Sequence, residues 1–397
     1  MQELPDSTFS LQSPNFRLLY TSLHILFIPT WFETPAHPTA GKAVKDLAFA
    51  LAQHGLNKLY GHKIHLLFQS PDSLPEVQHL NTAVDLFHDQ YSSRGKLYPL
   101  WNARALKSFN EAIDRYIAVH GVPDLIHIHS YPVLPFAVQA FKKRNIPFIY
   151  TEHSSKVGQD RLSWIEKILI RRYTAWSNGA FAVSKHLAAR LEQFIHKPVS
   201  VIPNTTDFNL FTPGKTKTPG QWIMINLLNK NKQVDLGIKA FDLYASRVNQ
   251  ATLHIIGDGP ERASLEKLIA SLESKDRIKL YGECGAEEWL PVLKASEGML
   301  VLSKFETFGV AALEALACEV PVIAFNNHGI LELTENIELK LLPIHANAQD
   351  IAKSMAEIKS FDINWNTTRE ILNARFSYAS VTAQYVRVYQ SILSNNT

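Results

Sequence analysis

Residues 299–324 read Met299-Leu-Val-Leu-Ser303-Lys-Phe-Glu306-Thr-Phe-Gly309-Val-Ala-Ala-Leu-Glu314-Ala-Leu-Ala-Cys-Glu-Val-Pro321-Val-Ile-Ala324. An apolar run ends at Ser303, a short loop follows, and a helical pattern begins near Thr307–Gly309. A second apolar run opens after Pro321, so the stretch is a strand–helix–strand unit of a parallel sheet. The loop leaves the free N–H groups of the helix's first turn, and the positive end of its dipole, at the mouth of the sheet. A phosphate is readily held there. Gly309 lets the backbone approach a ligand closely. Glu306 stands before the helix and Glu314 about two turns into it, so both carboxylates can face one cleft and accept pairs of hydroxyl hydrogen bonds. Taken alone, the same spacing also describes two solvated glutamates around a helix cap.

The alternation continues on both sides of this unit. Strands are expected at Trp222–Asn226, Leu253–Ile256, Ile278–Tyr281, Gly298–Leu302 and Val320–Ala324, with helices at Val234–Ala245, Glu261–Glu273, Glu287–Ala295 and Val310–Ala317. The first half repeats the pattern. Its strands are His24–Pro29, Lys63–Phe68, Leu125–His129, Ile146–Tyr150, Gly179–Val183 and Val199–Ile202. Its helices are Gly41–His54, capped by Gly55, Ala103–His120 and Leu134–Arg144. Residues 1–22 lack a period and read as a loosely ordered extension. Val201–Asp207 and Phe211–Lys215 read as a linker. Two α/β domains with a cleft between them follow, and open α/β sheets bind ligands beyond the C-terminal ends of their strands.

Length agrees, because 397 residues exceed the ~250–300 at which a single core stops growing. A 46% hydrophobic and 19% charged composition excludes intrinsic disorder. Two cysteines, Cys284 and Cys318, build no disulfide framework and fit a reducing compartment. No apolar run approaches the ~20 residues of a membrane span, and the N-terminus shows no signal-peptide pattern. The net charge of +3 is uneven: residues 1–200 hold 21 Lys/Arg against 15 Asp/Glu, residues 201–397 hold 19 against 22. A basic first half suits a phosphate-bearing substrate or acidic lipid, or is an ordinary solvated surface. Gly41-Lys42 and Gly214-Lys215-Thr216 lack the preceding glycine of a P-loop. Gly257-Asp-Gly259 lacks the third glycine of a dinucleotide fingerprint, where Arg262 stands.

The 303–324 segment resembles the E-x7-E signature of retaining glycosyltransferases of family 4, which have the GT-B fold. The resemblance extends along the chain. His24–Trp31 is similar to that family's opening strand and turn, Gly41 to the glycine of its acceptor-side loop, and Asp124-Leu-Ile-His127-Ile-His129 to its D-x-x-H-x-H strand end. Thr151-Glu-His153, Ala182-Val-Ser184, Val201-Ile-Pro-Asn204, Ile255-Ile-Gly257-Asp-Gly259 and Tyr281-Gly282 match further motifs in order, over residues 24–325.

The resemblance implies an α/β GT-B fold of two Rossmann-like domains facing each other across a cleft. The boundaries are residues 23–203 for an acceptor-binding domain, 204–375 for a nucleotide-sugar-binding domain, and 376–397 for a helix crossing back to the first domain. It implies transfer of a hexosyl group from a nucleotide diphosphate sugar to an acceptor hydroxyl with retention, in polysaccharide, lipopolysaccharide or glycolipid synthesis. Alternatives are a non-catalytic nucleotide-sugar-binding protein, a glucan synthase or a sugar-nucleotide epimerase. Glu306 and His153 are the expected catalytic residues. Lys232, Lys230, Glu314, Phe308, Gly309, Val310, Gly257 and Gly282 are expected at the donor, which carries UDP rather than GDP. Gly41 and His129 are expected at the acceptor. His127, two residues before His129, shares its strand face, and both residues can instead lie under a covering helix.

No metal and no cofactor are expected, because a lysine and a helix N-terminus can neutralise the leaving diphosphate. The expected partners are the donor and a glycan or lipid-linked acceptor, with no nucleic acid. Two departures stand out. The family's arginine in a G-R-x-x-x-x-K-like stretch is absent, with Asn226 or Leu227 in its place. Its GG-x-x-E pattern is reduced to Gly329 and Glu332.

Arg161–Trp176 reads as a helix with apolar Trp164, Ile165, Ile168, Leu169 and Trp176 rimmed by Arg161, Lys167, Arg171 and Arg172. Two readings are open. One is a core helix packed on the sheet, the commoner case. The other is a helix lying on an anionic membrane, joined by Lys142-Lys-Arg144, which would place a cytoplasmic protein at the inner membrane face.

Overall fold

The computed structural model describes residues 23–32, 41–53, 58–65, 77–81, 84–90 and 103–394. The expected N-terminal extension, the Gly55 cap and residues 66–68 lie outside them. In the first domain the strands are β1 His24–Pro29, β2 Lys58–His65, β3 Val77–Asn81, β4 Val84–Gln90, β5 Leu125–His129, β6 Phe148–Glu152, β7 Gly179–Ala182 and β8 Val199–Val201. Its helices are α1 Lys42–Gln53, α2 Ala103–His120, α3 Leu134–Lys142, α4 Trp164–Thr174 and α5 Lys185–Ile195. The sheet order is β3-β4-β2-β1-β5-β6-β7-β8. All neighbours are parallel except the β3–β4 pair.

The second domain carries β9 Gln221–Ile225, β10 Thr252–Ile256, β11 Ile278–Gly282, β12 Gly298–Val301, β13 Val322–Phe325 and β14 Lys340–Leu342, in the order β11-β10-β9-β12-β13-β14. Its helices are α6 Val234–Ala245, α7 Arg262–Ala270, α8 Ala286–Ala295, α9 Val310–Ala317, α10 His328–Leu333, α11 Ala348–Glu357 and α12 Trp365–Phe376. Helix α13, Tyr378–Ser394, returns to the first domain. Its Val381, Tyr385, Val386 and Tyr389 are buried among Ile25 and Phe27 of β1 and Val44, Leu47 and Leu51 of α1.

The chain crosses between domains twice, and the crossings are tied together. The Phe376 carbonyl accepts hydrogen bonds from Thr206 N (3.0 Å) and Thr205 Oγ1 (2.9 Å). Phe376 also meets Phe308 edge to face at 5.4 Å. Ser377 leaves the helical region there, so the crossing helix begins at Tyr378, and Phe376 ends the helix before it.

Three expectations are corrected. β2 begins at Lys58 rather than Lys63, because it pairs from the first residue of β1, His24↔Lys58, whatever its apolar content. β6 runs two residues past Tyr150, through Thr151 and Glu152, which are buried polar residues. The core-helix reading of 161–176 fails. α4 buries Glu166, Ile170 and Thr174, while Trp164 is 71% exposed, Ile168 54% and nearby Trp176 55%. Glu166 is held inside by Lys156 Nζ (2.6 Å) and Tyr131 Oη (3.1 Å) and completes a capping box with Ser163. Glu166 and Thr174 face in with Ile170, while Trp164, Ile165 and Ile168 face out.

Candidate active site

Lys232 and Glu306 are brought together by two loops at the C-terminal edge of the second sheet. After β9 the chain turns through a short 3-10 segment, Lys230–Lys232, whose N–H groups at Asn231 and Lys232 are capped by the Asn229 side chain. Gln233 ends it in the left-handed region, φ 47°. Asn231 then locks this turn to the loop after β12. Its Nδ2 donates to Phe305 O (2.9 Å), its Oδ1 accepts from Phe305 N (3.1 Å), and its carbonyl accepts from Lys304 N (2.8 Å). The result is an ion pair of Lys232 Nζ with Glu306 Oε1 at 2.5 Å, both side chains mostly buried. Asn231 was not expected at the site. A short polar side chain between two lysines was its only signal.

Gly309, φ 98°, opens helix α9, and a Cβ there would come 2.8 Å from Ile330 Cδ1. The Phe308 side chain is buried against Phe376, so only its backbone N–H, with those of Gly309 and Val310, is directed to the helix mouth. Gly329 lies so close to this loop that a Cβ would sit 2.6 Å from Glu306 O. Gly257 and Gly282 form the adjoining edge: Gly257 N donates to Gly282 O at 2.8 Å, and both have positive φ, 121° and 81°. Asn226, where the family arginine is absent, buries an Nδ2 that has no partner among the described residues.

Glu314 does not open onto an empty cleft. It is 3% exposed and its Oε1 lies 2.7 Å from Lys42 Nζ of the first domain, which also meets Asp46 at 2.6 Å. Gly41 makes this possible. Its φ is 71°, and a Cβ would come 2.2 Å from Trp31 O, so the start of α1 is drawn against the end of β1. Burial pushes the Glu314 and Asp46 carboxyls up, with the Lys42 cation opposing. Burial also works against the ammonium, but Glu314 and Asp46 outweigh it and hold Lys42 above its ordinary range. In the sequence Lys42 stood out only within an incomplete P-loop pattern.

His153 and His129 meet, Nε2 to Nδ1, at 3.1 Å. The turn carrying His153 is fixed by buried Glu152, whose Oε1 accepts from the N–H groups of His153 (2.8 Å) and Ser154 (2.7 Å). Burial pushes His153 down to about 4, opposed by a hydrogen bond with Asn204, so its ring is neutral at pH 7. His129 is buried behind it, 1% exposed, with Nε2 unpartnered among the described residues. It has no open face for an acceptor in this closed arrangement. His127 is the residue under a covering helix: its Nδ1 meets Tyr389 Oη of α13 (2.8 Å) and its Nε2 meets Thr151 Oγ1 (2.7 Å). Burial lowers both of these histidines well below the usual range.

Further contacts close the cleft. Glu332 Oε2 accepts from Lys185 N at the start of α5 (2.6 Å), and Lys185 Nζ meets Glu335 (3.1 Å). His186 and His328 stack across the gap at 3.9 Å. Beside them lies an interdomain cavity of about 640 Å³ whose lining includes Lys230, placing this predicted residue at its wall rather than beside Glu306.

Residues 40–210 match the family model for Glycosyltransferase Family 4, and residues 206–372 match that for Glycosyl transferases group 1. The two models meet at the linker and together take in both domains, so the chain belongs to the GT-B glycosyltransferases of this family. Over 294 residues it is 25% identical to the N-acetyl-alpha-D-glucosaminyl L-malate synthase of Bacillus anthracis, covering 69% of this chain and 76% of that one. It is 23% identical to the phosphatidylinositol N-acetylglucosaminyltransferase GPI3 subunit of Saccharomyces cerevisiae, covering 85% and 77%. Among solved structures it is similar to the sucrose-phosphate synthase of Thermosynechococcus elongatus, with TM-score 0.74, 20% identity, and coverage of 94% and 100%. It is also similar to Anabaena Alr3699/HepE in complex with UDP and glucose, with TM-score 0.69, 18% identity, and coverage of 93% and 100%.

Proposed function

We propose that the protein transfers a hexosyl group from a nucleotide diphosphate sugar, carrying UDP, to an acceptor hydroxyl with retained anomeric configuration. The second domain, residues 204–375, takes the donor, and the first, residues 23–203, takes the acceptor. The observation that carries this reading is the Lys232–Glu306 pair, 2.5 Å apart beside the mouth of helix α9. Lys232 and the α9 N–H groups face the leaving diphosphate, where departing charge needs fixed donors already in position. Glu306 orients the sugar and stabilises positive charge at the anomeric carbon. Glu314 takes the ribose hydroxyls once Lys42 releases it. His153, neutral, hydrogen-bonds the donor sugar from the first domain, with Glu152 and His129 as positioning residues behind it. The acceptor attacks from the face the diphosphate leaves, so its proton passes to a phosphate oxygen. Domain closure excludes water. The reaction requires no metal.

The acceptor belongs to cell-surface polysaccharide or glycolipid synthesis, and the protein works on the inner face of a membrane. The outward apolar face of α4 supports this, because Trp164, Ile165 and Ile168 lie beside Arg171 and Arg172 on one exposed helix. Lys142 stacks on neighbouring Trp176.

Calorimetry and kinetics on Glu306→Gln test the reading. UDP affinity is expected to stay within twofold while kcat falls ~10²-fold or more, the scale of a lost transition-state contact. Near-normal turnover refutes the role of Glu306. A wild-type chain that binds UDP yet neither transfers nor hydrolyses any labelled donor sugar is instead a nucleotide-sugar sensor.

A further inference from the structure

The interdomain cavity is separate from the Lys232–Glu306 pair. None of Glu306, Lys232, Phe308, Gly309, Val310, Glu314 or His153 lines it. Its walls are instead cationic. Arg161 and Arg190 contribute from the first domain, Lys230 and Lys304 from the second, and His186 and His328 stand between them. No acidic side chain is among its lining residues.

Four cations from both domains face this one cavity. Lys42, Lys156, Lys167, Lys185 and Lys232 each hold a carboxylate within 4 Å. Arg161, Arg190, Lys230 and Lys304 form no ion pair among the described residues, although all four face one cavity of about 640 Å³. Like charges gathered around a concave space focus a positive potential into it. The fold tolerates this arrangement without neutralising it internally. Burial pushes His186 down, opposed by its hydrogen bond with Gly158 O, and the His328 ring and Arg190 cation add to the lowering. A bound anion is attracted by all four cations and opposes the lowering of His186 by Arg190.

The position of the cavity identifies the anion's carrier. Lys304 and Phe305 immediately precede Glu306, and Lys230 and Asn231 immediately precede Lys232, so the cavity adjoins the Lys232–Glu306 pair. Half of its lining, including Gly158, Arg161, His186 and Arg190, comes from the first domain. Two arginines and two lysines exceed what one carboxylate needs and suit a phosphate dianion, to which each guanidinium can donate two parallel hydrogen bonds.

We propose that this cavity is a second phosphate site and that it binds a phosphate group carried by the acceptor. The proposal rests on the glycosyltransferase reading for the word acceptor, but not for the site itself.

The test is calorimetric titration of inorganic phosphate into the full chain, with and without saturating UDP, for wild type and for the Arg161→Gln/Arg190→Gln double variant. Wild type is expected to bind one phosphate in the presence of UDP. The double variant is expected to bind it at least about tenfold more weakly, the scale of losing charged hydrogen bonds, with UDP affinity within twofold of wild type. Neither arginine is in an ion pair, so the variant's unfolding temperature is expected to be unchanged or higher, which shows that it folds. Equal phosphate affinity in the two proteins, a wild-type Kd above about 10 mM (weaker than the ~4 kcal/mol of a millimolar site), or a parallel loss of UDP affinity overturns the proposal. Failure of the wild type to bind UDP at all refutes the donor reading instead, and the phosphate titrations without UDP still judge the cavity.

Discussion

Replacing Lys42 with Met keeps the volume of the side chain and removes its charge from between two carboxylates. Glu314 Oε1 lies 2.7 Å and Asp46 Oδ2 2.6 Å from the ammonium, and the carboxylate side chains are only 3% and 13% exposed. Removing one partner of a fully buried pair costs about 3–5 kcal/mol. The Lys42 side chain is 36% exposed, so water reaches the pair, and the expected cost falls to about 1–3 kcal/mol at pH 7. That is a drop of several degrees in the first unfolding transition, at about 2–4 °C per kcal/mol for a domain of this size. The pH dependence is the sharper signature. Burial already raises both carboxyls above their ordinary values, against the pull of Lys42. A carboxyl with a raised folded pKa binds more protons folded than unfolded, so stability falls as pH rises from the unfolded pKa through the folded one. Without Lys42 both rise further and the window extends upward. The difference between wild type and Lys42→Met is therefore expected to be small near pH 4.5 and to grow toward pH 7–8, read by thermal denaturation without ligand. In Lys42→Met/Glu314→Gln the Glu314 share disappears and only that of Asp46 remains. A destabilisation equal at pH 4.5 and pH 8, or unaltered by Glu314→Gln, refutes the account of this cluster.

Activity with a UDP-sugar is expected to survive excess EDTA, and loss of activity restored by Mg²⁺ or Mn²⁺ overturns the lysine-and-helix account of the leaving group. Co-sedimentation with anionic vesicles is expected at low salt and to be lost at high salt, at about 1 kcal/mol per basic residue near the surface. Trp164→Ser/Trp176→Ser and Arg171→Glu/Arg172→Glu are each expected to abolish it, and equal recovery with neutral vesicles refutes the membrane reading.

The sheets were legible where burial on both faces makes a strand an unbroken apolar run. Leu125–His129 and helices Ala103–His120, Val234–Ala245 and Val310–Ala317 fall on the expected residues for that reason. The β3–β4 hairpin, Val77–Asn81 with Val84–Gln90, was not, because its sequence alternates too weakly to mark a period. β14 is three residues, too short for any pattern. α4 stayed undecided in the sequence for a deeper reason: amphipathicity specifies two faces but not which one is covered. The buried face is decided by Glu166, which reaches Lys156 ten residues earlier and Tyr131 thirty-five residues earlier, and no local window contains those partners. The same limit applies at the site. Glu306 and Glu314 were found by their spacing. Lys42, which lies on Glu314, is 272 residues distant in the chain and signalled itself only by following a glycine.

The ion pairs that hide the candidate site follow from its chemistry. A site that grips sugar hydroxyls and a diphosphate needs carboxylates and cations within a few ångströms of one another in a space that excludes water. When the domains close with no substrate between them, those groups cannot stay buried and unpaired, since an uncompensated buried charge is far more costly than an unmade surface contact. They therefore pair with one another: Lys232 forms a hydrogen-bonded ion pair with Glu306, and Lys42 forms an ion pair with Glu314. On the proposed reading, a donor entering the cleft would exchange partners rather than fill a void, its phosphates drawing Lys232 away and its ribose hydroxyls replacing the Lys42 ammonium. The net gain from binding is correspondingly smaller than the count of contacts suggests, because every new hydrogen bond displaces an existing one. The cavity lined by Arg161, Arg190, Lys230 and Lys304 differs in this respect. Its cations hold no carboxylate within ion-pair distance among the described residues, so on the proposed reading an anion there breaks no existing ion pair.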